Sequence, residues 1–281
     1  MTTTGHELTL GYSTCPNDTF LFHALAHGLV RCDDVRFSVF LEDVETLNQN
    51  ARSALFHVSK LSFAAIGNLL DTYALLRSGA ALGRGCGPLI VARPGMKLDN
   101  MASGRIAVPG LWTTAFLLLT LYLGRTPETM PMTFDRIMPA LRNGEADYGI
   151  IIHEGRFTYP EYGLVKLLDL GEWWEQTTAL PIPLGGICIQ RSLGPEIAQQ
   201  VEASIRESVE FAFRHPEASK EYTAGHAKEM SPDIIRNHID LYVNAFTVDL
   251  GETGAEAVET LFSMARASGS IPDSTRPLFA C

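Results

Sequence analysis

Two stretches of this chain repeat one order: an apolar strand, a polar loop, then an apolar helix. Residues 8–28 read LTLGYSTCPNDTFLFHALAHG, and residues 104–124 read GRIAVPGLWTTAFLLLTLYLG. In each, the strand ends at Gly or Pro-Gly. Hydroxyl and amide residues follow, Ser13, Thr14, Asn17 and Thr19 in one and Thr113 and Thr114 in the other, residue types that cap helices. A second unit follows each. Residues 46–66 place Leu47, Ala51, Ala54 and Leu55 at helical spacing before a strand, HVSKLSFAAI. Residues 135–155 place Ile137 and Leu141 before an Asn143-Gly144 stop and a strand that ends at His153. Strand–helix–strand order predicts a parallel sheet in each half.

Ligands of open α/β sheets sit beyond the carboxyl ends of the strands. If the halves face each other, residues 13–19, 59–62, 111–115 and 153–156 meet in one cleft, as in a protein that closes two lobes on a ligand. GPLIVAR (87–93) and LPIPLGGICIQ (180–190) read as crossover strands. They divide the chain into one lobe of 1–92 plus 187–281 and another of 93–186. From Pro195 onward the chain reads as helical. Ile197, Val201, Ile205, Val209 and Phe213 form one stripe, and further helices are expected around 231–245 and 254–268.

With 281 residues the chain can bury two cores. A net charge of −10 without a basic cluster argues against a nucleic-acid binder, but leaves room for an anionic small molecule in a locally positive cleft. The longest apolar run, 115–123, is broken by Thr120 and falls short of the ~20 residues a membrane span needs. MTTTGHELTL has neither a basic start nor an apolar stretch, so a cytoplasmic protein is expected. Cys15, Cys32, Cys86, Cys188 and Cys281 are odd in number and widely spaced, which predicts reduced thiols and no zinc site.

His153 stands with Glu154 and Arg156 at the end of an apolar strand. It reads either as a polar strand end or as a general base, since imidazole titrates near neutral pH. Thr113-Thr114-Ala115 reads as a helix cap and equally as an anion site built on free amides. The Ser13–Thr19 loop, with Asn17, has the same two readings. Lys60 and Ser62 point to one side of an apolar strand. The lysine faces either a cleft or the open edge of a sheet. Cys15 starts a helix, where a thiol pKa can fall, although a buried structural cysteine is the commoner case. The glycines of 79–88 precede a strand rather than joining strand to helix, which argues against a dinucleotide site. Trp173-Trp174 reads as packing surface.

The chain is similar to a known family in STCPNDTF (13–20), LEDVETLN (41–48), SKLSFAA (59–65), LRSGAALGRGCGPL (76–89) and AVPGLWTTAFLL (107–118). The likeness continues through IIHEGRFTYPEYGLVKLLDLGEWWE (151–175), LPIPLGG (180–186) and DLYVNAFTVDLGETGAEAV (240–258). In order and over nearly the whole chain, these segments resemble the 1,4-dihydroxy-6-naphthoate synthases of the futalosine route to menaquinone. The resemblance implies an α/β, two-lobed fold like a type II periplasmic binding protein. Each lobe is then a mixed sheet flanked by helices, with the active site in the interlobe cleft. It implies a carbon–carbon lyase that converts cyclic dehypoxanthine futalosine to the dihydroxynaphthoate without metal or organic cofactor. His153 falls on the family's base. Lys60, Leu61 and Ser62 fall on one substrate-binding segment, and Thr113, Thr114 and Ala115 on another.

The sibling activity, chorismate dehydratase, and a non-catalytic solute-binding protein for a small carboxylate are the competing readings. HEGRFTY and the paired threonines favour the synthase, and the absence of an export signal weighs against the binding protein. A monomer or homodimer is expected, with no nucleic-acid or membrane partner.

Overall fold

A computed structural model describes residues 6–32, 34–227 and 231–280. Cys281 and the first five residues lie outside them. The chain runs β1 (His6–Ser13), α1 (Pro16–Ala26), β2 (Val35–Glu42), α2 (Val44–Ala51), β3 (Val58–Ser62), α3 (Phe63–Asn68), β4 (Tyr73–Leu75) and β5 (Ala81–Gly83). It then crosses through β6 (Leu89–Ala92), β7 (Ile106–Val108), α4 (Thr114–Leu123), β8 (Met130–Pro131), α5 (Phe134–Arg142), β9 (Tyr148–Ile151), α6 (Gly155–Thr158), β10 (Val165–Asp169) and α7 (Leu170–Thr178). It returns through β11 (Ile182–Gln190) to α8 (Gly194–Arg214), α9 (Lys220–His226), α10 (Pro232–Tyr242), α11 (Ala245–Val248) and α12 (Gly251–Ala267).

Two sheets result, ordered β2-β1-β3-β11-β4, with β5 also on β11, and β10-β6-β9-β7-β8. The repeated strand–helix–strand units are parallel, as expected: β1 with β2 and β3, β7 with β8 and β9. The crossover strands make both sheets mixed rather than wholly parallel. β6 lies antiparallel to β9, and β11 lies antiparallel to β3. Leu89–Ala92 therefore belongs to the second sheet, and Ile182–Gly186 already pairs in the first. One buried cluster joins the lobes, running from Leu47, Phe63 and Leu75 through Ile90, Val108 and Leu118 to Trp174. Separate clusters fill the far faces, under α1 and α8 in one lobe and under α5 in the other.

Three expectations shift. The helix of 46–66 ends at Ala51, so Leu55 is exposed, and the strand after it gives way to α3 at Phe63. Phe213 leaves the buried stripe of α8 and is 46% exposed, whereas Val201, Ile205 and Val209 are buried. Steps of four residues drift by about 40° each around a helix, so the fifth member faces away from the first. Lys60 stands on β3 between β1 and β11, which removes the sheet-edge reading.

Where β6 begins, Gly87 lies against Gly171. A Cβ on Gly87 would stand 2.4 Å from the Cα and N of Gly171. Gly87→Ala is expected to cost about 1–3 kcal/mol, as for an overpacked site. The readout is a lowered urea midpoint, and an unchanged midpoint would contradict the packing.

Candidate functional site

The carboxyl ends of β1, β3, β7 and β9 meet across the lobes. Ser13, Asn17, Lys60, Leu61, Ser62, Thr113, Thr114, Ala115 and His153 all line one cavity. Asp18, within the 13–19 segment expected at the cleft, joins them, as do Cys86, Leu184, Gly185 and Tyr242, which the sequence did not place there.

Asp18 organises one wall. It is 1% exposed, and its Oδ1 accepts from Lys60 Nζ and from Asn17 Nδ2, both at 2.8 Å. Its Oδ2 accepts from Ser13 Oγ at 2.6 Å and Ser13 N at 3.2 Å. Ser13 and Asn17 thus serve Asp18 rather than capping α1, whose N-cap is Cys15 without a side-chain bond. Lys60, 5% exposed, makes a buried ion pair, a geometry that its place on a central strand forces.

The Asn17 amide is oriented by its bond to Asp18, so its Oδ1 faces His238 and accepts from His238 Nε2 at 2.9 Å. That bond fixes the proton on Nε2 of His238. Burial, and then the neighbouring His153, hold His238 neutral, well below the usual histidine range. Its Nδ1 is a buried acceptor without a protein partner. No sequence signal pointed to a lone histidine this far along the chain.

The second lobe supplies a helix start. Thr113 Oγ1 donates to Gly110 O at 2.8 Å and accepts from Phe116 N at 3.2 Å, a true N-cap of α4. Thr114 Oγ1 donates to Leu184 O at 2.6 Å. Both hydroxyl protons are therefore committed within the protein. The anion-binding capacity of this turn rests on the first-turn amides of Thr114 and Ala115, which have no intrahelical acceptor.

His153 lies just past β9 with φ of +54°, a left-handed conformation uncommon for residues other than glycine. Strained backbone of this kind clusters at functional sites. Its ring meets Phe134 edge-on at 5.2 Å and stands nearly parallel to His238 at 6.0 Å. Burial lowers its pKa to about 4, against the pull of Asp18 and Asp43. Cys15 Sγ stands 3.6 and 3.8 Å from the two ring nitrogens. Such near-equal distances describe packing against the ring, not a directed thiolate–imidazolium pair. Burial, then Glu154 and Asp18, push the Cys15 thiol up, so it is a protonated packing group and not the activated thiol a helix start can produce.

Arg156 turns away from the cavity. It pairs with Asp169 at 2.9 Å and donates to the carbonyls of Gly85 and Gly87, tying α6 to the glycine segment. Those glycines thus hold an arginine through their carbonyls. Trp174 is buried, and its indole N–H donates to Pro181 O at 3.1 Å. Among the described residues, no helix is long and apolar enough to cross a membrane.

The family whose description is menaquinone biosynthesis matches residues 8–267. A relative from Thermus thermophilus, named 1,4-dihydroxy-6-naphthoate synthase, is 49% identical over 97% of this chain and 98% of its own. A Streptomyces coelicolor protein of the same name is 47% identical over 94% and 95%. A crystal structure of an Archaeoglobus fulgidus protein superposes with a TM-score of 0.89 at 36% identity, covering 95% of this chain and 99% of that one. The alkanesulfonate-binding protein of Xanthomonas axonopodis pv. citri superposes at 0.72 with 15% identity, over 98% and 96% of the two chains, which shows a periplasmic-binding-protein-like fold. With its motifs in order, both lobes present and its relatives about half identical end to end, the chain belongs to the menaquinone biosynthesis family.

Proposed function

We propose that this protein is a cytoplasmic carbon–carbon lyase that converts cyclic dehypoxanthine futalosine to 1,4-dihydroxy-6-naphthoate, with His153 as the base. One observation carries the reading. A neutral imidazole, held in a strained conformation, shares a cavity with a buried ammonium and a helix start. The substrate carboxylate docks on the amides of Thr114 and Ala115, whose helix dipole favours an anion. Lys60 spends two N–H groups on Asp18 and Gly79 O, leaving a third for a substrate oxygen. Ser62 Oγ accepts from Asn48 at 3.0 Å and keeps its own proton to donate. Lobe closure excludes water. His153 takes a proton from the substrate, a carbon–carbon bond breaks, and formation of the aromatic ring drives the reaction forward.

The test offers cyclic dehypoxanthine futalosine and chorismate separately and follows products by chromatography and mass. The naphthoate from the first substrate is expected. Consumption of chorismate alone overturns the reading in favour of the sibling enzyme, and turnover of neither favours a binding protein.

The pH dependence follows from the burial of His153. Its folded pKa lies below the ordinary 6.5, so the neutral base persists to about pH 4. The acid limb of kcat/KM is therefore expected near 4, with activity kept at pH 5. A limb near 6.5 would contradict a buried base. The sign for stability is the same. The unfolded chain takes up this proton first, so the contribution is complete above 6.5 and is lost as pH falls toward about 4.

A further inference from the structure

One face of α2 reaches across the cleft. Glu45, Asn48, Gln49 and Arg52 recur at helical spacing on that face. Opposite them lies the 110–112 loop of the other lobe, which leads directly into the Thr113 cap. Glu45 Oε1 accepts from Trp112 N at 3.3 Å, and Asn48 Nδ2 lies 3.3 Å from Trp112 O. The Arg52 guanidinium stands 5.1 Å over the Trp112 ring. The same helix therefore grips both backbone groups and the side chain of one residue in the opposite lobe.

Asn48 is the centre of this grip. It is 0% exposed. Its Oδ1 accepts from Ser62 N at 2.9 Å, and its Nδ2 reaches Ser62 Oγ at 3.0 Å and Glu45 Oε2 at 3.2 Å. It thus holds Ser62 in one lobe and the approach to Thr113–Ala115 in the other. Gly110 permits the approach. Its φ is +140°, and a Cβ there would fall 2.4 Å from the Glu45 carboxyl carbon.

We propose that α2 is an interlobe latch and Asn48 its positioning residue, setting the Thr114 and Ala115 amides at a fixed distance from Ser62 when the lobes close. The consequence for catalysis rests on the reading of this cavity as the substrate site, but the latch itself does not. Contact with both backbone groups of Trp112 makes the latch insensitive to what side chain stands there, while Arg52 adds grip only for an aromatic ring.

The test is Asn48→Asp, which keeps the acceptor for Ser62 N. It removes the donor to Trp112 O and sets a carboxylate beside Glu45 in place of a hydrogen bond. Two readouts separate the latch from the assigned reaction. Hydrogen exchange of residues 112–116 in the free protein is expected to rise about tenfold or more as the loop is released. With cyclic dehypoxanthine futalosine, KM is expected to rise about tenfold, with kcat changed less than about threefold, since lost positioning of the carboxylate is lost uniform binding. Adding Glu45→Gln removes the repulsion but leaves Trp112 O without the Asn48 donor, so both readouts are expected to recover only in part. Gly110→Ala forces the same gap from the opposite lobe and is expected to reproduce the exchange result. Unchanged exchange in both single variants overturns the latch, as does a complete return to parental exchange on adding Glu45→Gln, which would reduce the defect to carboxylate repulsion alone. If the parent protein turns over no substrate, the functional reading fails while the exchange data still decide the latch.

Discussion

His153→Ala is expected to lose turnover by at least about a hundred- to ten-thousandfold, the range for removing a general base, while substrate still binds. The geometry explains both halves of that result. The imidazole contacts Phe134, His238 and Cys15 by ring packing, while the Thr113 and Thr114 hydroxyls and Lys60 bond to other partners. Removing it therefore leaves the proposed anchors in place. The φ of +54° makes alanine a strained replacement, so His153→Asn is the companion variant, because asparagine accepts the left-handed region. Both variants should show a ligand-induced rise in unfolding temperature with cyclic dehypoxanthine futalosine, as the parent does. Near-parental turnover in either would remove His153 from the chemistry.

The second large effect falls on stability. Asp18→Ala is expected to cost about 3–5 kcal/mol, the range for breaking a buried ion pair, and Lys60→Met to cost less. The asymmetry comes from what each partner keeps. Without Lys60, Asp18 still accepts from Ser13 Oγ, Ser13 N and Asn17 Nδ2. Without Asp18, the buried Lys60 amine keeps only Gly79 O at 3.4 Å and has lost its carboxylate partner. Urea titrations of the two variants check the order. Equal losses, or a larger loss for Lys60→Met, would mean that the carboxylate depends on the lysine more than its other donors imply.

Much of this architecture is legible in the sequence because it is local. Apolar runs ending at Gly, Pro-Gly or a charged cluster mark β1, β7 and β9, and the ends of these strands together with β3 bring His153, Lys60 and Thr113 to one cavity. What escapes reading is set by contacts between distant segments. His238 comes to the site from α10, with only an asparagine 221 residues away to reveal it. Asp18 sits inside a quoted motif, yet nothing local says that a lysine 42 residues on will pair with it. The threonine hydroxyls look available in sequence and are consumed by Gly110 and Leu184 in the fold. Cys15 stands at a helix start that favours a thiolate, but burial outweighs the dipole. Arg156 reads as a cleft charge and instead clamps the Gly85–Gly87 carbonyls.

The most direct measurement is a crystal structure with 1,4-dihydroxy-6-naphthoate bound. Carboxylate oxygens are expected about 2.7–3.2 Å from the backbone nitrogens of Thr114 and Ala115. A ring carbon is expected about 3–3.5 Å from a nitrogen of His153. A ligand seated outside this cavity, or one whose carboxylate meets neither amide while His153 faces only solvent or protein, would contradict the proposed site.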